Sequence, residues 1–138
     1  MKDFIPYEQA LELKELGFDE PCLGRHYYKE SYPMLNPNSG EIELVFEFGQ
    51  YVNQTEVTIL APLKQQAFRW FREKHGICSW IQRLYNEYGN PYYTIIHEYK
   101  TDLLSRNHTV VANLKEYNTY EEAEQACLDK LIEIVKTK

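Results

Sequence analysis

The most regular alternation of apolar and polar positions lies near the C-terminal end of the chain. Apolar side chains recur there at helical spacing: Ala123, Cys127, Leu128, Leu131, Ile132, Ile134 and Val135. Thr119 and Glu122 match a capping box, in which a hydroxyl and a carboxylate accept free backbone N–H groups at a helix start. The pattern predicts a helix that begins after Thr119 and buries Leu131 at the centre of its apolar face.

A second helix is predicted over 61–76, because Pro62 suits a helix start and Gly76 a helix end. Turning 100° per residue gathers four apolar side chains into one arc: Leu63, Ala67, Trp70 and Phe71. A different arc of about 80° holds a mixed basic and aromatic set: Lys64, Phe68, Arg72 and His75. We expect the first arc to face the core and the second to face solvent.

A shorter helix is predicted between Pro6 and Gly17, by the same signals at its two ends. Glu8, Glu12 and Glu15 fall on one of its faces. An acidic stripe of this kind is typical of a solvated helix surface. Docking to a basic partner is the alternative interpretation.

The middle of the chain carries the signals of strands. Residues 41–48 alternate apolar and acidic side chains, which is the period of a sheet with one wet face. A shorter run at 23–28 is a further candidate. Three later runs are rich in aromatic and β-branched residues and have short polar connections, which favour an antiparallel meander: 77–86, 92–99 and 108–117.

Together these elements predict an α+β fold. The 138 residues match the usual size of one domain, and no linker or repeat divides them, so we expect a single domain over 1–138. Its antiparallel sheet would carry helices mainly on one face. From the centre to the C-terminus the predicted order is helix, three strands, helix.

Composition narrows the class of protein. Apolar residues make up 43% and charged residues 26%, as in ordinary globular chains. No stretch reaches the roughly 18 apolar residues of a membrane helix, and the first residues lack the pattern of a secretory signal. Three cysteines without C-x-x-C spacing suit a reducing compartment. We therefore expect a cytoplasmic protein without a membrane partner.

The charge is uneven along the chain. The net charge is −6, but residues 61–83 carry five basic groups and one acidic group. Basic groups that are clustered on an acidic chain can still attract an anionic partner. This segment is therefore the natural place to look for a binding surface.

Motifs for catalysis are absent from the sequence. It contains no G-x-S-x-G, no G-x-G-x-x-G and no phosphate-binding G-x-x-x-x-G-K. Cys22 with His26, and His75 with Cys78, are lone pairs, whereas zinc sites need three or four ligands. We predict no catalytic residues, no metal and no cofactor, and therefore no enzyme.

Three stretches resemble a known group of proteins: 5-IPYEQALELKELGFDEPC-22, 61-APLKQQAFRWFREKHG-76 and 117-YNTYEEAEQACLDKLIEIVK-136. The group consists of small uncharacterised proteins of Bacteroides-type bacteria, their prophages and other mobile elements. The resemblance implies a cytoplasmic origin in a phage or mobile-element setting. It carries over no functional residues.

These observations predict a non-catalytic accessory or protein-interaction protein. Lys64, Phe68, Arg72 and His75 form the predicted partner-binding face, because an aromatic flanked by cations is a typical binding surface. Its positive charge would attract an acidic protein partner or the acidic stripe of a second copy. The alternative is that Phe68 is covered and the cations are simply solvated. The oligomeric state stays open.

Weak nucleic-acid binding through 61–83 is the second hypothesis. Tyr92, Tyr93 and Trp80 with nearby Arg83 could stack on single-stranded bases. The order helix, three strands, helix also resembles the double-stranded RNA-binding domain. That domain places basic residues at the start of its last helix, where this chain has only acidic ones that would repel phosphate: Glu121, Glu122 and Glu124.

Overall fold

A computed structural model describes residues 3–27, 43–44, 58–85, 87, 89, 91–99, 108–113 and 116–138. Its elements are α1 (Tyr7–Glu15), β1 (Gly24–Tyr27), β2 (Glu43–Leu44), β3 (Thr58–Ala61), α2 (Lys64–His75), β4 (Ile77–Arg83), β5 (Tyr92–Tyr99), β6 (His108–Asn113) and α3 (Tyr120–Lys136). The α+β class is confirmed. The predicted order of helix, three strands and helix from α2 to α3 is confirmed as well.

The chain divides into two compact units, an N-terminal unit Met1–Ala67 and a C-terminal unit Phe68–Lys138. The strands form two antiparallel three-stranded sheets, one in each unit, where the sequence analysis predicted one sheet. Periodicity identifies strands but not which strands pair, and this explains the difference. The assignment of 1–138 to one domain stays a prediction.

The N-terminal unit contains the sheet with the order β2-β1-β3. In the register of β1 with β3, His26 lies opposite Ile59 and Gly24 opposite Ala61. α1 begins after Pro6 and packs against β3. Gly17 follows α1 with φ of +87°, a conformation that glycine adopts without strain, and this confirms the predicted helix end.

Backbone hydrogen bonds hold the first residues of the N-terminal unit beside the start of α2. The Ile5 N–H donates to the Pro62 carbonyl at 2.9 Å, and the Lys64 N–H donates to the Asp3 carbonyl at 2.8 Å. The buried ring of His26 also reaches this segment, since its Nε2 donates to the Ile5 carbonyl at 2.8 Å. Leu63 pairs with Phe4 in an isolated β-bridge, so α2 begins at Lys64 and not at Pro62 as predicted.

The C-terminal unit contains the meander β4-β5-β6, in the order that the short connections predicted. In the register of β4 with β5, Trp80 lies opposite Ile95 and Cys78 opposite His97. α3 packs against β5 and β4. The edge-to-face contact between Tyr120 of α3 and Tyr92 of β5 identifies the sheet face that α3 covers.

The ends of α3 follow the sequence prediction closely. The Glu122 N–H donates to Thr119 Oγ1 at 3.1 Å, and the Asn118 N–H donates to Glu122 Oε2 at 3.2 Å. The capping box is therefore present, but its carboxylate accepts the N–H of Asn118 and not, as the motif requires, that of Thr119. Leu131 is fully buried, which confirms the predicted centre of the apolar face.

Other element bounds differ from the prediction. The strand predicted over 41–48 is described only at Glu43–Leu44, and its other residues lie outside the described residues. β4 ends at Arg83 and not at residue 86, although the Leu84 N–H still donates to the Pro91 carbonyl at 3.1 Å just beyond that end. Within the described residues, no helix has the length and apolar character needed to cross a membrane.

Candidate functional site

The predicted partner-binding face of α2 is only partly exposed. Lys64 has 8% of its surface exposed, so the expectation that it lies on a solvent-facing arc is wrong. The helix projection could not anticipate this, because the burial accompanies the backbone bond of Lys64 to Asp3. Arg72 is exposed and Phe68 is half-buried. The partner-binding role of the set stays a prediction.

His75 belongs to an aromatic cluster within the C-terminal unit. Its ring centroid lies 4.7 Å from that of Trp70, edge to face, and 6.0 Å from that of Phe71. Its Nε2 is buried and has no hydrogen-bond partner in the described part of the chain. Burial, followed by the nearby charge of Lys138, lowers the pKa of His75 below its ordinary value of 6.5. His75 therefore adds no stable positive charge to this helix at neutral pH.

The four residues predicted to stack on bases lie on two different sides of the sheet. Trp80 and Tyr93 share one face, because Gln82 pairs with Tyr93 and Trp80 is two residues before Gln82. Tyr92 pairs with Arg83 on the opposite face, which α3 covers. The sequence could not show this separation, since it depends on strand alternation and register together.

Arg83 and three tyrosines form a continuous group at one end of the C-terminal unit. The Arg83 guanidinium carbon lies 5.2 Å from the ring centroid of Tyr85 and 5.3 Å from that of Tyr92, over both rings. The ring of Tyr120 meets that of Tyr92 edge to face, with the centroids 6.0 Å apart. We call this group, Arg83, Tyr85, Tyr92 and Tyr120, the aromatic row.

The aromatic row is open to solvent. Tyr85 is 76% exposed and Tyr120 is 47% exposed, and the neighbouring Leu84 is 41% exposed. Cation–π contacts within about 6 Å of a ring centroid hold an arginine in place without neutralising its charge. The row is therefore an exposed surface whose charged member has a defined position.

Two backbone contacts position the members of the row. The hydrogen bond from Leu84 to Pro91 closes the hairpin, so that Tyr85 follows Arg83 out of the strand. A backbone bridge between Tyr92 and Tyr117 then brings the start of α3 to the first residue of β5. The sequence pattern indicated Arg83 and Tyr92 but not Tyr85 and Tyr120. The two-residue spacing of Arg83 and Tyr85 was a usable signal, whereas nothing local links Tyr120 to Tyr92.

An open groove with a volume of about 600 Å³ runs along the first turns of α3. Eight residues line it: Glu116, Tyr117, Asn118, Glu121, Glu122, Gln125, Ala126 and Asp129. The Tyr93 hydroxyl donates to Glu116, and this hydrogen bond raises the pKa of Tyr93 above its ordinary value. Burial, with the charge of Asp129 as a smaller cause, raises the pKa of Tyr117 as well. Four acidic residues line the groove, and it adjoins the aromatic row because its Tyr117 pairs with Tyr92.

The buried thiols are not set up for nucleophilic chemistry. Burial raises the pKa of Cys22 to about 12, and the charge of Glu20 adds to the shift. Burial likewise raises the pKa of Cys127 to about 11. Both side chains are protonated at neutral pH, and the thiolate is the nucleophile of cysteine chemistry. In the part of the chain that the structure describes, no group of three or more His, Cys, Asp and Glu side chains could hold a metal ion.

Comparison with known proteins adds no further residues to this site. No protein-family model, curated protein or solved structure matches the chain. The candidate site therefore depends on the geometry of the aromatic row and of the groove beside it.

Proposed function

We propose that this chain is a non-catalytic protein-interaction protein of the cytoplasm, and that its partner docks on the aromatic row. One observation carries the proposal: Arg83 lies over two tyrosine rings in a group whose outer members are exposed. Tyrosine, tryptophan and arginine are the residues that most often dominate the binding energy of protein interfaces. The phage or mobile-element setting comes from the resemblance of the three sequence stretches.

The row also has the physical properties that favour binding. Tyrosine side chains lose little conformational entropy when a partner covers them, since they have only two rotatable bonds. The ring contacts of Arg83 limit the freedom of an otherwise long and flexible side chain. Ordering this surface on association is therefore less costly than ordering a surface of isolated lysines.

The non-catalytic part of the proposal is supported by the chemistry of the buried groups. Cys22 and Cys127 have raised pKa values, which is opposite to the shift of an activated thiol. The perturbed tyrosines, Tyr93, Tyr117 and Tyr120, also shift upwards, towards the protonated form. None of these shifts prepares a group for proton abstraction near neutral pH.

Nucleic-acid binding is the second candidate because of one observation. Trp80 is 46% exposed, and it stacks on His97 with the ring centroids 4.5 Å apart, on the sheet face that also holds Tyr93. Exposed aromatic side chains on a sheet are a common platform for single-stranded bases. The described positions of β4 and β5 on this face include no Lys or Arg, so the electrostatic part of such a site has no support there.

An affinity pull-down from prophage-induced host cells tests the proposal. The bait is the full chain, compared with Tyr85→Ala/Tyr120→Ala, which truncates the outer members of the row. Phe68→Ala/Arg72→Glu is the matched double variant on α2, the face predicted from the sequence. We expect the first variant to lose the partner and the second to keep it, with both folded by circular dichroism.

Two results would contradict the proposal. The first is that folded Tyr85→Ala/Tyr120→Ala recovers the partner in unchanged yield. If only the α2 variant loses the partner, the interface lies on α2. The second is recovery that disappears after nuclease treatment. In that case an electrophoretic shift with DNA and RNA at two salt concentrations would show binding that weakens steeply with salt.

A further inference from the structure

Arg83 is an exposed cation that has no carboxylate partner among the described residues. In the described part of the C-terminal unit, Lys130 pairs with Glu133 at 2.8 Å and Lys138 pairs with Glu98. No described Asp or Glu lies within ion-pair distance of Arg83, and its contacts there are the rings of Tyr85 and Tyr92. On a chain with 21 acidic residues and a net charge of −6, two ring contacts fix the position of this cation.

We infer that Arg83 is the receptor for a carboxylate of the partner, and that the partner presents this group on a short acidic peptide segment. The inference rests on the proposed function and names the chemistry that the aromatic row recognises. Ring contacts leave the charge of the guanidinium intact, and a guanidinium binds a carboxylate through two parallel hydrogen bonds. The rings therefore orient a group whose preferred ligand is missing from this part of the chain.

The neighbours of Arg83 define the rest of the ligand. Leu84 and Tyr85 are both exposed beside it in the sequence, and Tyr120 adds a further exposed ring to the row. These side chains offer apolar contact area around one charge. The matching ligand has a single Asp or Glu flanked by apolar side chains.

The acidic groove disfavours a polyanion at the same place. Burial, and then the charges of Glu124 and Glu121, raise the pKa of Tyr120, so these carboxylates lie beside the row, and Glu121 also lines the groove. A nucleic acid carries one phosphate per nucleotide, so placing one phosphate on Arg83 brings further phosphates towards these carboxylates. A peptide with one carboxylate avoids this repulsion. The charge pattern thus favours an acidic peptide over a nucleic acid.

Nuclear magnetic resonance titration of the full chain tests the inference with defined probes. The probes are the blocked pentapeptide Gly-Leu-Glu-Leu-Gly, its counterpart with Gln in place of Glu, and its counterpart with Lys. We expect the Glu peptide to shift the side-chain Nε–H signal of Arg83 and the amide signals of Leu84, Tyr85 and Tyr120. The affinity of the Gln peptide should be lower by roughly fivefold or more, because it lacks the charge-assisted hydrogen bonds.

Variants separate the bidentate bond from simple charge attraction. Arg83→Gln should abolish the preference for Glu over Gln, and Arg83→Lys, which keeps the charge and is the milder change for folding, should reduce it. Lys74→Gln, which removes an exposed cation of α2, is the matched control and should leave the preference unchanged. The amide spectrum of each variant establishes that it is folded.

Each other outcome overturns the inference in a distinct way. Equal shifts of the signals of the row with the Glu and Gln peptides would contradict carboxylate recognition but not the proposed function. Shifts confined to other residues would contradict the inference and the docking site together, and no shift at millimolar peptide would contradict carboxylate recognition. A twelve-nucleotide single strand that displaces the Glu peptide from Arg83 would favour nucleic-acid binding.

Discussion

Tyr92 and Tyr117 exchange two backbone hydrogen bonds, at 2.8 and 2.9 Å, in which the N–H of each residue donates to the carbonyl of the other. This bridge joins the first residue of β5 to the segment that precedes α3. Thr119 caps α3 only two residues later, so the bridge sets where the helix starts. The edge-to-face contact of Tyr120 with Tyr92 follows from that placement.

The cap of α3 gives the first prediction. Thr119→Ala should lower the free energy of unfolding by about 0.5–2 kcal/mol, because the Glu122 N–H loses the acceptor that Thr119 Oγ1 provides. Urea unfolding followed by circular dichroism measures the change. Thr119→Ser keeps an acceptor oxygen and should retain most of the stability. An alanine variant as stable as the wild type would show that the cap does not stabilise α3.

Leu131 gives the second prediction, because it is fully buried on α3. Leu131→Ala should cost roughly 2–5 kcal/mol through lost apolar contact and the cavity that remains. Leu84→Ala makes the same chemical change at an exposed position and should stay within about 0.5 kcal/mol of the wild type. A loss below about 0.5 kcal/mol at Leu131 would contradict the packing of α3 against its sheet.

His26 allows a test in the N-terminal unit. Its ring is buried, and its Nε2 donates to the Ile5 carbonyl at 2.8 Å. His26→Leu should destabilise this unit by about 1–3 kcal/mol, because the carbonyl loses its donor in a buried place. Faster amide hydrogen exchange at Ile59 and Leu60 would report the loss. Asp19→Asn, an exposed change in the same unit, should leave those exchange rates unchanged.

The aromatic cluster around His75 predicts a pH dependence. Burial first, and then the charge of Lys138, lowers the pKa of His75 in the folded chain below its ordinary value of 6.5. The unfolded chain therefore binds more protons between these two pKa values, and the free energy of unfolding falls as the pH falls below 6.5. His75→Gln removes this titrating group.

The measurement is the difference in unfolding free energy between the wild type and His75→Gln as a function of pH. We expect the wild type to lose stability relative to the variant on acidification through that window, and the two curves to run parallel above it. Parallel curves throughout would mean that the His75 ring is as easily protonated in the folded chain as in the unfolded chain.

The cysteines give a prediction about thiol chemistry. Raising the pKa of Cys127 from 9.0 to about 11 lowers its thiolate fraction about 100-fold near neutral pH, and that of Cys22 falls further. Half-buried Cys78 should therefore react first with a disulfide reagent in the native protein. Denatured, reduced protein should release three thiols, and elemental analysis should find no stoichiometric zinc. One metal per chain, or fast reaction of Cys127, would contradict this view.

Local signals explain how much of the fold could be predicted. The apolar stripe and the capping box predicted α3. A run of aromatic and β-branched residues predicted β5 with the bounds that the structure has. Pairing is not local, so the existence of two sheets could not be foreseen. The start of α2 also involves a residue distant in sequence, Asp3, whose carbonyl accepts the backbone N–H of Lys64.

The candidate site was predictable only in part, for the same reason. Arg83 and Tyr92 stood out as a cation and an aromatic in neighbouring strands, and the register does pair them. Their assumed partners Trp80 and Tyr93 point to the other face, because alternation along each strand separates them. Tyr120 enters the group through the bridge between Tyr92 and Tyr117, which lie 25 positions apart in the sequence.

The positions of Trp70 and Trp80 determine which parts of this protein tryptophan fluorescence can monitor. They are its two tryptophans, both in the C-terminal unit, one buried and the other nearly half exposed. Selective excitation should therefore give a shielded emission from Trp70 and a quencher-accessible emission from Trp80, the latter sensitive to the stacked ring of His97. The N-terminal unit contributes nothing to this signal. Tryptophan fluorescence therefore reports the surroundings of these two side chains, and amide exchange at Ile59 and Leu60 is the direct report on His26→Leu in the N-terminal unit.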